Sequence, residues 1–253
     1  MTNFLKYATL TSTLALALAA PALATDLTEM SDAEREAFRA EVRAYLLDNP
    51  EVIMEAVQVL EERQQAAQEG MDVALVEANR DAIFNDGFSH VGGNPEGDIT
   101  LVEFMDYRCG YCRKAHDEVQ ELIESDGNIR FITKEFPILG PESMDSSKFA
   151  IAVRNVAGDD AYVAANDALI RYKGKVTEAS LRKLADTLGV DGDAVMEEME
   201  SDAVARVIAE TRALAQRLQI NGTPTFVLED EMIRGYVPLE GMRQYVDQVR
   251  DAG

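Results

Sequence analysis

The sequence predicts an α/β protein with two helical additions, and three observations carry that reading. Ile99 to Met105, ITLVEFM, and Ile129 to Pro137, IRFITKEFP, are β-rich runs on either side of a segment with helical periodicity, a strand–helix–strand unit. From Pro141 to Gln219 the pattern is helical throughout, with breaks near Gly158, Gly174, Gly189 and Ser201. Ahead of both, two short amphipathic segments carry an apolar stripe that they cannot bury by themselves.

In chain order, the first residues read MTNFLKYATLTSTLALALAAPALATD. Lys6 supplies a positive start, Tyr7 to Ala20 is an uncharged apolar run, and Ala22-Leu23-Ala24 places small residues where a signal peptidase reads. The run is shorter and richer in threonine than a membrane span requires. Residues 1–24 are therefore expected to be a signal peptide cleaved after Ala24. The short positive start suits a bacterial export signal and a periplasmic destination. Of 253 residues, 229 would remain. The formal charge of −22 becomes −23 without Lys6, a field that repels nucleic acid and anionic lipid surfaces.

Ser31-Asp32-Ala33-Glu34 matches a capping box, and Phe38, Val42, Tyr45 and Leu46 follow at helical spacing to Leu47. Asn49-Pro50 ends that helix, and Pro50 suits the first turn of another that presents Val52, Ile53, Val57 and Leu60. Residues 25–70 form the helical region and linker, with Gly70 expected to interrupt it; 71–253 is the main domain, beginning with a helix at about Val73 to Phe84. Gly92 to Asp98 is dense in turn residues. After the strand–helix–strand unit and the helical stretch of about 141–219 come Thr225 to Leu228, a strand, a turn at Glu229-Asp230, a returning strand, and a closing helix from Pro238 to Val249.

Cys109 and Cys112, the only cysteines, stand at the start of the helix after ITLVEFM. C-x-x-C beside a βαβ pattern reads as a thioredoxin-like redox motif. A sulfur at a helix start meets free N–H groups and the positive end of the macrodipole, which favours its thiolate. Arg108, Arg113 and Lys114 add positive charge, and no acid falls between Arg108 and Lys114. Cys109 is expected to be the exposed nucleophile and Cys112 the shielded thiol that resolves its mixed disulfides. A zinc site would need ligands beyond Cys109, Cys112 and His116, and a structural disulfide would close too small a loop to matter. No metal site is expected, although two thiolates select Cu(I) where it is offered. His116 reads as a helix-surface residue.

Glu103 lies inside an apolar strand, six residues before Cys109. It is either an outward-facing side chain on a partly open strand or a buried acid that takes the proton of Cys112. Thr223-Pro224 immediately precedes a strand, where a cis bond in a tight turn would expose the backbone of Thr223.

VEFMDYRCGYC, the long helical insertion and GTPTF followed by a strand together resemble the DsbA-like branch of the thioredoxin superfamily, over roughly Gly92 to Gly253. The resemblance implies a thioredoxin-like core with an inserted helical domain. It makes Cys109 the nucleophile, Cys112 the resolving thiol, Glu103 the buried acid and Pro224 the cis-proline. Gly110 and Tyr111 between the cysteines, and Thr223 before the proline, are similar to those of disulfide isomerases rather than strong oxidases. Tyr45 to Gln64 resembles the oligomerisation extension of the group related to the suppressor of copper sensitivity C protein and Com1-like proteins, which implies a homo-oligomer, a trimer before a dimer.

The function so implied is that of a periplasmic thiol:disulfide oxidoreductase, an isomerase or reductase acting on unfolded or misoxidised exported proteins. A membrane thiol-disulfide reductase or oxidase would recharge it, and no cofactor is needed, because the cysteine pair carries the electrons. Substrate would be held by Thr223, Pro224, Gly110 and Tyr111, with Met105, Tyr107 and Phe226 as apolar neighbours. A monomeric dithiol oxidase and a non-enzymatic copper-binding or chaperone module are the alternatives.

Overall fold

The computed structural model describes residues 30–252, so the expected signal peptide lies outside the described residues. The chain divides into two compact units, one up to Glu61 and one from Glu62.

In the first unit, α1 (Asp32–Asp48) begins at the expected capping box. Ser31 Oγ accepts from the Glu34 amide, and the Glu34 carboxylate accepts from the Ser31 amide at 2.9 Å. Asn49 closes α1 by donating from its side chain to the Tyr45 carbonyl, and α2 (Glu51–Ala78) starts after Pro50. Nothing in α1 is buried, and Phe38, Val42, Tyr45, Leu47, Ile53, Met54, Val57 and Leu60 all stand exposed.

The helix α2 does not stop at Gly70. One exposed glycine costs roughly 1 kcal/mol in a helix, and its flanks, EERQQAAQE and MDVALVEA, are good helix formers that outweigh it. The break falls instead at Asn79, before α3 (Arg80–Phe84).

The second unit is built on a five-stranded sheet in the order β1-β3-β2-β4-β5. Its strands are β1 (His90–Gly93), β2 (Ile99–Met105), β3 (Ile129–Glu135), β4 (Thr225–Leu228) and β5 (Glu231–Arg234). Only β2 and β3 run parallel, joined by α4 (Gly110–Asp126). The sequence reading assigned no strand at β1 and put Gly92 and Gly93 in the turn-rich loop. HVGG has neither alternation nor length, and it becomes a strand only by pairing antiparallel with the edge of β3. Gly93 and Gly97 make the following turn possible, since a Cβ at either would meet backbone of β3 or the residue before it at 2.4 Å.

Alternation along the strands distributes the core. Ile99 and Leu101 of β2 and Ile129 and Phe131 of β3 face α4 and α10 (Leu239–Ala252). Val102, Phe104 and Ile132 face α3 and α9 (Asp202–Arg217) on the other side, where Val76 of α2 also packs. Asp72 fixes the same end of α2 through an ion pair with Arg234 at 2.7 Å. Lys134, fully buried on this face, is held by Asp86 and the Ala82 carbonyl. The insertion between β3 and β4 comprises α5 (Pro141–Ala157), α6 (Asp159–Arg171), α7 (Glu178–Leu188), α8 (Gly192–Glu198) and α9, with breaks where glycines and Ser201 placed them.

Continuity through Gly70 is testable. A Cβ there meets nothing within 4 Å, so Gly70→Ala should stabilise the protein by about 0.5–1 kcal/mol in urea unfolding. An unchanged or lowered midpoint would mean that α2 is broken in solution.

Candidate active site

The two cysteines are positioned by the loop that leaves β2. Asp106, with no exposed surface, accepts from the Arg108 amide at 2.8 Å through one carboxylate oxygen and from the Ile138 and Leu139 amides through the other. It thereby ties the turn before the cysteines to the segment after β3. The carbonyl of Asp106 accepts from the Cys109 amide at 3.0 Å. Cys109 is the N-cap of α4, in an extended conformation and with no side-chain capping bond, so the first-turn amides remain available to its sulfur. Gly110 opens the helix beside open space, and Tyr111 is 63 % exposed.

A second segment closes over the sulfur. Thr223-Pro224 is a cis peptide, and the Thr223 carbonyl oxygen lies 3.1 Å from Cys109 Sγ. The Thr225 hydroxyl donates to the Gly222 carbonyl, and the Pro224 carbonyl accepts from the Gly235 amide, which fixes the loop at both ends. Cys109 is consequently recessed, 7 % exposed, rather than the open nucleophile expected, because the Thr223 backbone lies over it.

Both cysteines are free thiols, and their environments push them apart. The hydrogen bond from Cys112 holds Cys109 down to about 5 against the cost of burial, helped by the Thr223 side chain and the Cys112 and Tyr111 amides. The reciprocal bond, then burial, then the Glu103 charge push Cys112 up. Hydrogen bonds therefore do most of what the sequence suggested for side-chain charge. Arg113 donates to the Tyr107 and Tyr172 carbonyls at 2.9 and 2.8 Å, and Arg108 donates to the Tyr172 and Gly174 carbonyls and pairs with Glu142. These arginines clamp the insertion to the site.

Glu103 faces α4, in the same alternation as Leu101 and Met105, and is buried. Burial first, then the charges of Cys109 and Glu135, push it up to about 8. Glu135, which the sequence reading passed over, is likewise raised to about 7 by burial and accepts from the hydroxyls of Tyr107 and Tyr162 at 2.6 and 2.8 Å.

Of the apolar neighbours expected to line a substrate surface, Met105, Tyr107 and Phe226 are core residues, since β2, its loop and β4 are covered on both faces. Tyr111 alone is exposed. Its ring stacks on Tyr236 at 6.1 Å, and Lys114 lies 4.1 Å over Tyr236. His116 is not a free surface group, because Asp167 of α6 meets its Nε2 at 3.0 Å. Asp106 carried a local signal, an acid four residues before the expected helix start at Gly110, whereas Tyr236 is brought in by tertiary structure alone.

Residues 100–247 match the model of the DSBA-like thioredoxin domain, and residues 34–67 match that of the copper resistance protein ScsC N-terminal domain. A thioredoxin-like oxidoreductase from Silicibacter pomeroyi DSS-3 is 42% identical, with a TM-score of 0.65, over 69% of this chain and 99% of its own. Proteus mirabilis ScsC in a transitional conformation is 25% identical, with a TM-score of 0.63, over 87% and 97%. Among curated proteins, a Na(+)/H(+) antiporter NhaA 1 of Salinispora arenicola (strain CNS-205) is 30% identical over 60% of this chain. The match spans 23% of that relative, so the chain covers about a quarter of the length of the curated proteins it matches. Among the described residues no helix is long and apolar enough to cross a membrane.

The burial of Glu103 sets a pH dependence. An acid raised from 4.5 to about 8 favours the folded state at low pH and loses that advantage as pH rises through about 8. Glu103→Gln should therefore gain stability relative to the parent between pH 5 and pH 8, measured as urea midpoints of the reduced proteins. A difference that stays constant over that interval would place Glu103 in water.

Proposed function

From the premise that the chain belongs to the DSBA-like thioredoxin domain family, we propose that it is a disulfide isomerase and reductase of exported proteins, working as a homo-oligomer in the periplasm. Thiol–disulfide chemistry rests on one observation above all, the Cys109 sulfur at the first turn of α4 beneath the Thr223 carbonyl. Cys109 thiolate attacks a substrate disulfide, forms a mixed disulfide and releases one substrate thiolate. In isomerisation a second substrate thiolate displaces Cys109 and makes the correct bond. When none arrives, Cys112 gives up its proton and attacks Cys109 Sγ, so the substrate leaves reduced and the pair becomes a disulfide.

Specificity needs little side-chain reading. The Thr223 backbone offers an extended substrate main-chain pairing, while Gly110 leaves room over the sulfur and exposed Tyr111 gives an apolar contact. A membrane thiol-disulfide reductase would return the pair to dithiol. The oxidase reading keeps one supporting observation. Dithiol enzymes span Cys values of about 3.5 to about 7, the most oxidising at the bottom, and about 5 for Cys109 lies between.

The first unit favours isomerisation. Exposed Phe38, Val42 and Ile53, with Leu46 half-buried, line an apolar cleft and match a domain model drawn from ScsC. Burying that face on copies of itself, as a trimer or a dimer, would set several Cys109 sites around one substrate. The test uses scrambled ribonuclease in a glutathione buffer, with mass measured by light scattering. The parent should be oligomeric and restore activity. A Val42→Glu, Leu60→Glu variant should be monomeric, still reduce disulfides, and lose most unscrambling. A monomeric parent that only oxidises reduced ribonuclease would sink the isomerase reading.

A further inference from the structure

The sheet sets three hydrogen-bonding side chains in one row. Glu103 of β2 lies opposite Thr133 of β3, and Thr133 lies opposite His90 of β1. Partners across adjacent strands project to the same face, here the face that α4 covers. The row lines a cavity of about 490 Å³ that also touches Cys112, with α4 and α6 as its other walls. At the far end, His90 Nδ1 is 3.2 Å from Asp159 Oδ1, its ring lies on Tyr162 with centroids 4.8 Å apart, and Asp159 is largely exposed. Gly92, two residues on, also lines the cavity, and a Cβ there would sit 3.2 Å from His90 Nε2.

We propose that this cavity is the proton exit of the cysteine pair and that His90 carries the proton from its inner end to the surface. The inference rests on the reading that Cys112 resolves mixed disulfides. As Cys112 attacks, its S–H bond breaks, its electron pair forms the bond to Cys109 Sγ, and the substrate thiolate leaves. The freed proton joins the Glu103 carboxylate and crosses cavity water along the Thr133 hydroxyl to His90 Nε2. His90 Nδ1–H passes to Asp159 and on to solvent. Cys112 itself is 1 % exposed and lies behind Cys109, so its proton has no direct contact with solvent. A cavity of this volume, with polar groups along its walls, has room for several waters.

The surrounding charges suit the route. Burial keeps His90 below its ordinary value and so neutral, although Asp159 opposes the shift. Arg154 holds Asp159 as a carboxylate beside it. From α4, His116, Asp117, Glu121 and Glu124 face the cavity, and from α6, Tyr162, Asp167 and Arg171 do so. His116 is the rival outlet, but its Nε2 is taken by Asp167, and it is not in the row with Glu103.

Single-turnover quench-flow tests this on the full chain, with reduced protein mixed with oxidised glutathione and quenched in acid. The two steps, mixed-disulfide formation by Cys109 and its resolution by Cys112, are followed by mass. His90→Asn should leave formation unchanged and slow resolution about 10-fold near pH 6.5, with added imidazole restoring the rate. Gly92→Ala should slow the same step with His90 intact. Wild-type resolution in both variants overturns the proposal. So does a slowed His90→Asn that imidazole leaves slow, which would mark a structural role, or a loss confined to His116→Asn, which would move the exit to the other wall. A parent that forms no mixed disulfide would instead refute the thiol-exchange reading beneath it.

Discussion

A sulfur held between the first turn of a helix and the backbone of a loop 114 residues further on is the contact that the rest of the structure serves. The helix start depends on Asp106, a buried acid that spends both its oxygens on backbone amides, and the loop depends on the Pro224–Gly235 and Thr225–Gly222 bonds. The insertion is part of the same arrangement. Cys109, Cys112, Met105 and Tyr107 pack in one cluster with Phe149, Tyr162 and Leu169, and Arg108 and Arg113 reach across to the end of α6. Loosening the insertion would therefore loosen the thiolate.

Two charges of one sign compete in this small space. The Cys109 thiolate raises Glu103, so at neutral pH the site holds a negative sulfur in front and a protonated acid behind. When the pair becomes a disulfide, the sulfur's charge is gone and Glu103 ionises more easily. The same holds in the mixed disulfide, where Cys109 carries no charge: Glu103 ionises more readily there, and its carboxylate is available as a base while Cys112 is still a thiol. Burial supplies the shift, and the timing comes from the charge on Cys109.

Much of this was legible in the sequence, for identifiable reasons. Strands β2 and β4 were plain because their apolar runs are dense and bounded by turn residues, and the insertion's breaks followed its glycines. The motif's position at the N-terminus of α4 followed from the strand ending four residues earlier. What failed did so where tertiary contacts outweigh local signals. Gly70 did not break α2, HVGG became an edge strand only because β3 was there to pair with it, and the arginines near Cys109 turned to the insertion's carbonyls. The row from Glu103 to His90 joins positions 13 residues apart in sequence through a strand that lies after both, so no spacing rule could reveal it.

The central claim is that the fold holds Cys109 as a thiolate through hydrogen bonds from Cys112, from the Thr223 side chain and from the first-turn amides of Cys112 and Tyr111. Absorbance of the thiolate near 240 nm, titrated on the reduced full chain and on Cys112→Ser to assign the signal, measures it most directly. The structure predicts a transition at about pH 5 in the parent. A single transition near the ordinary thiol value of about 8.5 would contradict the account, because the helix start and the Thr223 loop would then be holding a neutral thiol.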